Sequence, residues 1–441
     1  RRGSDIGYAL RTFSAQPYRG ATPLSVSALN RMVQESPYLR YVISEVRLSR
    51  SVESGEPFEC VKEEAVSILE EMSQNLQLSF IRLMGFALTK IFKRLFSAIR
   101  VNEAGLARLQ RAIQEHPVIL MPNHRSYVDF LIISYIMFTY DLSVPVIAIL
   151  RRSGAFFIRR AIGSDKLYWA VLSEYVRTIV RTGFAPLEFY VEGLRSRTLK
   201  SLNPKLGMMQ MVLEPFFKGE VYDITLVPIS ISYDRVLEES LLAHELLAFP
   251  NPERPPGSEN YGCMHVSFGN PVSVRELLRG DPRGQYNLIP SDVAHLLVLL
   301  QERGLVLNPW SLMALILLQN PDPNDWPGHM ALHQSVARVE KGYVRLGRGG
   351  GPGPVTQEEF AFRRASAALM CASYRNQALH VFTRPALVAV DMTAAPSCSK
   401  EDVFSRFCFL QDLLANEFVF MPGHAAQVRP KLITSRIQNQ P

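Results

Sequence analysis

The sequence contains no long apolar run and no internal repeat. Its longest apolar stretches are FLIISYIMF (Phe130–Phe138) and LMALILL (Leu312–Leu318). A membrane-spanning helix needs about 18 or more such residues in a row, so we expect both stretches to form buried helices and any membrane contact to be peripheral. No early stretch shows the basic region, apolar core and cleavage site of a secretory signal.

The few cysteines form neither a CxxC pair nor a zinc-binding pattern. They are Cys60, Cys263, Cys371, Cys398 and Cys408. Their odd number indicates free thiols in a reduced intracellular compartment. His329 and His333 have the i,i+4 spacing of a zinc-binding helix but lack the glutamate of HExxH. A metal hydrolase is therefore a weaker alternative, and we interpret the two histidines as a surface pair.

The chain is basic, with 48 Lys and Arg against 41 Asp and Glu, a net charge of +7 and a pI of about 9.1. This balance suits an anionic partner such as a phosphorylated substrate, a coenzyme or a lipid headgroup. The basic residues are scattered rather than arranged in a stripe with interleaved aromatics. We therefore expect no nucleic-acid partner.

The patterning divides the 441 residues into three regions. Residues 1–103 show three- and four-residue apolar spacing and are predicted to be helical. Residues 104–280 alternate short apolar runs with helical segments, which predicts an α/β domain with at least some parallel strand pairing. Residues 281–441 are predicted to be mainly helical.

Six apolar runs of the middle region are predicted to be strands. They are PVILM (117–121), VPVIAIL (144–150), AFFIRR (155–160), LEFYVEG (187–193), DITLVPISIS (223–232) and MHVSFGNPVSV (264–274). The segments YVDFLIISYIMF and KLYWAVLSEYVRTIVR between them are predicted to be helices. Near the C-terminus, Ser399 before Glu401 and Asp402 has the pattern of a helix N-cap.

Residues 80–100, FIRLMGFALTKIFKRLFSAIR, predict one basic amphipathic helix. Its apolar stripe comprises Phe80, Met84, Leu88, Ile91, Leu95 and Ile99. Such a helix either lies in a membrane interface or packs against a neighbouring domain. We favour packing, because amphipathic helices are common in soluble proteins.

A histidine and an aspartate follow the first predicted strand, in the stretch PNHRSYVDF (Pro122–Phe130). Open α/β sheets bind ligands beyond such strand ends. Asp129 is placed to bond one imidazole nitrogen of His124, which leaves the other free to accept a proton from a hydroxyl. Alone, this spacing is a weak signal that occurs often by chance.

Two further predicted strands also end in polar side chains. AFFIRR ends in Arg159 and Arg160, and LEFYVEG is followed by two arginines and a serine. Arginine side chains beside a glycine form a suitable cradle for a phosphate group. Pro228, in the run LVPISISYD, removes a backbone donor and predicts a pocket wall or a sheet edge.

Four blocks in this order resemble the motifs of the glycerolipid acyltransferase family. The matching residues are His124 and Asp129 of NH-x4-D, Gly154, Phe157, Ile158 and Arg160 of G-x-x-F-I/V-x-R, Glu192, Gly193, Arg195, Ser196 and Arg197 of E-G-T-R-S-R, and Val227, Pro228 and Ile229 of V-P-I/V. The resemblance extends over nearly the whole chain and implies the fold of that family, a mixed sheet flanked by helices.

The resemblance implies transfer of a long-chain acyl group from acyl-CoA to the hydroxyl of dihydroxyacetone phosphate, the first step of ether glycerolipid (plasmalogen) synthesis. The implied general base is His124, oriented by Asp129. The implied phosphate ligands are Arg160, Gly193, Arg195, Ser196 and Arg197, and the implied residues on the acyl-CoA side are Gly154, Phe157 and Pro228. No metal or cofactor is expected. The alternative acceptor is glycerol 3-phosphate.

The same resemblance implies a peroxisomal enzyme on the lumenal side of a membrane, with the next enzyme of ether lipid synthesis as a further partner. The chain departs from the pattern at Leu194, where the family has threonine, and in the short segment between Asp129 and Gly154. Its end, ITSRIQNQP, has no S-K-L-like signal. A second alternative is therefore an inactive variant that keeps peripheral membrane binding.

Overall fold

The structure is a computed structural model that describes most of the chain. The described residues are 4–12, 24–54, 58–147, 156–159, 163–239, 241, 245, 247, 260–279, 290–319, 337–340, 343–346, 357–394 and 399–421. The predicted site residues Gly154 and Arg160 lie outside them, as do Cys398 and the pair His329 and His333. None of the described helices combines the length and the apolar character needed to cross a bilayer.

A mixed sheet of seven strands forms the centre of the molecule. Its strands are β1 (Ala98–Val101), β2 (Val118–Pro122), β3 (Val146–Ile147), β4 (Leu187–Glu188), β5 (Thr225–Tyr233), β6 (Cys263–Phe268) and β7 (Val272–Ser273). The order is β1-β6-β5-β2-β4-β3, with β7 also paired to β5. β5, β2, β4 and β3 run parallel, whereas β6 and β7 are antiparallel to β5. The predicted α/β sheet is confirmed.

Helices precede, cover and follow this sheet. In the first part of the chain they are α1 (Asp5–Leu10), α2 (Val26–Gln34), α3 (Pro37–Ser54), α4 (Phe58–Met72), α5 (Leu78–Leu95), α6 (Glu103–Ala112), α7 (Asp129–Thr139), α8 (Lys166–Thr182) and α9 (Leu206–Phe217). Further on they are α10 (Val274–Arg279), α11 (Pro290–Arg303), α12 (Pro309–Gln319), α13 (Gln357–Ala394) and α14 (Lys400–Leu413). A separate hairpin joins β8 (Ala337–Glu340) to β9 (Tyr343–Leu346).

Local sequence signals fix the ends of several helices. Asp165 caps α8 by accepting from the amide of Tyr168, and Gly183 ends that helix in the left-handed region at φ 57°. Ser399 caps α14 and forms a reciprocal capping box with Asp402. The predicted N-cap at Ser399 is confirmed.

Two apolar layers hold the sheet from its two faces. Along β5 successive side chains alternate between the faces, so Leu226 joins one cluster with α8, α9 and α11, whereas Val227 and Ile229 join the other with α5, α6 and α7. All nine residues of β5 are buried. The central strand therefore has no solvated face, as expected of a sheet covered on both sides.

The prediction of a single helix over residues 80–100 is wrong at its C-terminal end. The helix ends at Leu95, and Ala98–Val101 forms β1, which pairs with β6 in parallel. The buried face of α5 includes Leu88 and Phe92 and packs on α1 and α7, while Lys90 and Lys93 pair with Asp5. Packing, the favoured interpretation of this helix, is what the structure shows.

The predicted strand AFFIRR is also wrong over its described part. Residues 156–159 have no regular secondary structure. Their amides bond outside the sheet: that of Phe157 donates to the carbonyl of Met72 at the end of α4, and that of Arg159 donates to the hydroxyl of Tyr168. The predicted strand LEFYVEG shrinks to Leu187–Glu188, because the chain then turns and Gly193 bonds back to Tyr190.

Candidate active site

The candidate site lies where parallel strands end. β2, β4 and β5 run in the same direction, so their carboxyl ends meet at one edge of the sheet, where open α/β sheets bind ligands. The catalytic loop (residues 123–128) follows β2, and the second loop (residues 189–205) follows β4. At the base of the catalytic loop, the side chain of Asn123 bonds both the amide and the carbonyl of Ile231 in β5.

His124 and Asp129 form the predicted pair. The imidazole Nδ1 lies 2.8 Å from Asp129 Oδ2. The histidine side chain is 15% exposed, whereas the carboxylate is fully buried. With Nδ1 held by the carboxylate, Nε2 is the nitrogen available to a substrate hydroxyl.

Further donors hold the Asp129 carboxylate at the start of α7. Its Oδ2 accepts from the backbone amides of Arg125 at 2.6 Å and Ser126 at 2.8 Å. Its Oδ1 accepts from the hydroxyl of Tyr233 at the end of β5. Burial and the neighbouring Asp129 charge raise the pKa of Tyr233 well above its ordinary value, so this phenol stays a donor. The carboxylate is thus fixed as an acceptor facing His124.

A buried ion pair joins the two loops. The guanidinium of Arg125 donates to both oxygens of Glu192 at 2.8 and 2.9 Å, and both side chains are buried. Glu192 also accepts from the amides of His124 at 3.3 Å and Leu202 at 2.7 Å. In return, the amide of Ser196 donates to the carbonyl of His124 at 3.0 Å.

The residues of the second loop that are predicted to bind phosphate differ in their surroundings. Gly193 has φ 71°, a conformation that favours glycine, and Arg195 stacks over the ring of Tyr127 with its guanidinium carbon 4.5 Å from the ring centre. Arg197 instead points outward and pairs with Glu245 at 2.7 Å. The side chain of Ser196 is fully buried.

Two of the three residues predicted for the acyl-CoA side, Phe157 and Pro228, lie in the described part of the chain. Phe157 is exposed and bonded to the end of α4. Pro228 lies in β5 on the sheet face opposite Tyr233 and therefore opposite Asp129. Pro228 has no amide hydrogen to donate. It lies between the β5 residues that pair with β6 and those that pair with β7, which explains a proline in a central strand.

A buried acid lies beneath the histidine. The ring of Tyr190 lies 4.4 Å from that of His124, and its hydroxyl donates to Glu188 at 3.4 Å. Burial raises the pKa of Glu188 well above its ordinary value, which favours the protonated, uncharged form of this carboxyl.

The sequence reasoning missed Arg125, Tyr233 and Tyr190 as members of the site. Arg125 carried a signal, because it stands inside the stretch PNHRSYVDF between two other predicted site residues. Tyr233 and Tyr190 carried none, since their contacts join residues far apart along the chain. In the part of the chain that the structure describes, no group of three or more His, Cys, Asp or Glu is placed to hold a metal ion.

Two family models match the chain. The acyltransferase model matches residues 100–232, which contain β2, β4, all but the last residue of β5, and the dyad. The model of the glycerol-3-phosphate acyltransferase C-terminal region matches residues 256–324 and 323–438. Together the matches extend from the sheet through the C-terminal helices.

Curated relatives cover almost the whole chain. The dihydroxyacetone phosphate acyltransferase of Oryctolagus cuniculus is 42% identical over 498 aligned positions, which cover 97% of this chain and 72% of that protein. The protein of the same name from Homo sapiens is 42% identical over 96% of this chain and 72% of its own length. The glycerol-3-phosphate acyltransferase of Pseudomonas syringae is 28% identical over 81% of this chain and 49% of its own.

The alignment with the rabbit protein is 57 positions longer than the 441 residues of this chain. The relative therefore contains segments within the aligned region that this chain lacks. The identity and coverage nevertheless show the family of this chain. The chain belongs to the family of the dihydroxyacetone phosphate and glycerol-3-phosphate acyltransferases, and it is an acyltransferase.

Proposed function

We propose that this acyltransferase moves a long-chain acyl group from acyl-CoA to the hydroxyl of dihydroxyacetone phosphate, as the first step of ether glycerolipid synthesis. The observation that carries the proposal is the dyad, in which Asp129 holds Nδ1 of a partly exposed His124 at the edge of the sheet. The names of the relatives at 42% identity support dihydroxyacetone phosphate as the acceptor.

In the proposed reaction, Nε2 of His124 takes the proton of the acceptor hydroxyl as its oxygen attacks the thioester carbonyl. A C–O bond forms, the C–S bond breaks, and the leaving thiolate receives that proton from the imidazolium. Asp129 keeps the imidazole oriented and stabilises its charged form. No acyl-enzyme is required.

The proposed phosphate ligand is Arg195. Its guanidinium is held over the ring of Tyr127, a residue of the catalytic loop, and so stays on the His124 side of the second loop. The amides beside Gly193 complete the cradle, because the positive φ turns the backbone there. Arg160 and Ser196 stay predicted ligands from the family resemblance.

A test of the base uses the two histidines that flank β2. His124 follows the strand and His116 precedes it, so the two lie at opposite edges of the sheet. His124→Ala should lower the rate of transfer from labelled palmitoyl-CoA to dihydroxyacetone phosphate by about 10²–10⁴-fold, whereas His116→Ala should retain it. Retained activity in His124→Ala with an intact fold would refute the assignment.

A test of the phosphate ligand uses two arginines of the same loop. Arg195→Ala should raise the KM for dihydroxyacetone phosphate by about tenfold or more, since a charge-assisted bond is worth about 1.5–3 kcal/mol. Arg197→Ala removes the same charge from a side chain paired to Glu245 and should leave the KM nearly unchanged. Equal effects of the two variants would place the phosphate elsewhere.

The runner-up acceptor is glycerol 3-phosphate, supported by the bacterial relative at 28% identity. Offering both acceptors in parallel decides between them: a higher kcat/KM for glycerol 3-phosphate would reassign the enzyme. Transfer to neither would favour an inactive variant, to which the short segment after Asp129 points.

The remaining proposals concern location and partners, and they rest on the family resemblance. We propose a peroxisomal enzyme bound peripherally to the lumenal side of a membrane, acting beside the next enzyme of ether lipid synthesis and needing no cofactor. Colocalisation of the full-length protein with a peroxisomal marker, and its release from membranes by alkaline carbonate, test the location and the peripheral binding.

A further inference from the structure

A cleft with basic side chains lies between two helices of the C-terminal region, α11 and α13. It is formed by the end of α11, the middle of α13 and residues 418–420, and it has a volume of about 110 Å³. Its polar lining comprises Glu302, Arg303, His380 and Arg384, and its apolar wall includes Leu299 and Phe418. A water needs only about 10–15 Å³ on such a measure, so the cleft has room for a phosphate group.

The groups that line this cleft include two guanidinium groups, those of Arg303 and Arg384, and the carboxyl of Glu302. Neither Arg303 nor Arg384 makes an ion pair with another residue in the described ranges. Partial burial and the charge of Arg384 lower the pKa of Arg303, and the charge of Glu302 opposes them. Both arginines are exposed, so an anion can reach them from solvent. Two like charges repel each other, and an anion placed between them would relieve that repulsion.

The other titratable groups of the cleft do not replace that anion. Glu302 bonds Ser201 and is half-buried, and burial raises its pKa to about 7, so it is only partly ionised at neutral pH. The ring of His380 bonds the backbone carbonyls of Gln377 and Glu302, and burial lowers its pKa. The positive potential of the cleft therefore comes from the two arginines.

The position of the cleft suits a substrate or an effector. Gln301 in α11 donates to the carbonyl of Met121 at the end of β2, and Asn376 in α13 donates to the carbonyl of Thr198 in the second loop. The two helices that line the cleft therefore contact the carboxyl end of β2 and the second loop. A chain of contacts also joins the cleft to the catalytic loop, because Ser201 bonds both Glu302 and Arg125.

We infer that this cleft is an anion-binding site that holds a phosphate monoester between Arg303 and Arg384, apart from the cradle at Arg195. Paired guanidinium groups recognise the oxygens of a phosphate with several charge-assisted hydrogen bonds. The apolar wall beside them fits the remainder of a phosphorylated ligand. Two sources share this chemistry, namely a nucleotide such as the 3′-phosphate end of CoA, and free inorganic phosphate.

The test measures binding by calorimetry in the Arg195→Ala protein, where the first cradle is removed. The probes are inorganic phosphate and adenosine 3′,5′-bisphosphate. Arg303→Gln with Arg384→Gln should weaken binding of the better probe by about tenfold or more. The matched control, Arg94→Gln with Arg111→Gln, removes the same charge from two exposed positions and should bind as before.

Binding by the cleft variant within twofold of the control would overturn the inference, and so would the absence of binding of either probe to the Arg195→Ala protein. A tenfold preference for the bisphosphate would identify a nucleotide as the source, and equal affinities would identify free phosphate. Arg384→Gln alone, with circular dichroism as the folding check, should weaken binding at least threefold. Failure here is distinguishable from failure of the proposed function, since His124→Ala should lower transfer by about 10²–10⁴-fold and keep this binding.

Discussion

Replacing Glu302 with glutamine should stabilise the protein at alkaline pH far more than at acid pH. This carboxyl lies near the end of α11, where burial outweighs a hydrogen bond from Ser201 and the charges of Arg125 and Arg384. Its pKa is consequently raised from 4.5 to about 7. Glutamine keeps the shape and the hydrogen-bonding capacity of the side chain but carries no charge.

The magnitude follows from linkage between protonation and folding. Between about pH 4.5 and pH 7 the folded protein keeps a proton on Glu302 that the unfolded chain loses, so stability falls as the pH rises through this window and levels off above it. The cost of the ionised form reaches about 3 kcal/mol at pH 8 and stays below about 1 kcal/mol at pH 5. Glu302→Gln removes this cost.

Urea unfolding of the wild-type protein and the variant at pH 5 and pH 8 measures the effect. The gain in free energy of unfolding should be larger at pH 8 by about 2 kcal/mol. Glu115→Gln makes the same chemical change on an exposed residue and should show no such difference. A gain that is equal at both pH values, or absent at pH 8, would refute the reasoning.

Three further variants probe the site. Tyr233→Phe should lower the free energy of unfolding by about 2 kcal/mol, because the buried charge of Asp129 loses a donor; an unchanged urea midpoint would contradict this. Gly193→Ala should lower the free energy of unfolding by about 1 kcal/mol or more, because Gly193 has a positive φ. Gly219→Ala is the comparison for steric strain, since Gly219 has the same φ but open space around it. Asp129→Asn should lower kcat by about 10²-fold or more while leaving the KM for the acceptor within about threefold, and a fall confined to KM would contradict an orienting role.

The parts of the site that were predictable from the sequence are local. His124 and Asp129 meet because only four residues separate them after the end of β2, and a motif can encode such a distance. The helices α7 and α8 were likewise predicted from the apolar residues of local segments. The apolar run at residues 223–232 also predicted β5, whose nine residues are buried.

The parts that escaped prediction depend on contacts between distant segments. Tyr233 reaches Asp129 across 104 residues, and no spacing rule relates them. The predicted strand at residues 155–160 failed because Phe157 finds its backbone partner at the end of α4 rather than in the sheet. Apolar character showed that this segment is buried in part, but only the tertiary structure determines where its amides bond.

The buried Arg125–Glu192 pair has a consequence for how the site opens. The carboxylate of Glu192 accepts hydrogen bonds from the amides of His124 and Leu202 and from the guanidinium of Arg125. Neither loop can therefore detach without exposing an uncompensated charge. The two loops should thus form a single cooperative unit of local unfolding, with one shared protection factor in amide hydrogen exchange. A ligand that binds either loop would slow amide hydrogen exchange in both. Binding of the acceptor alone would therefore rigidify the catalytic loop, which carries His124.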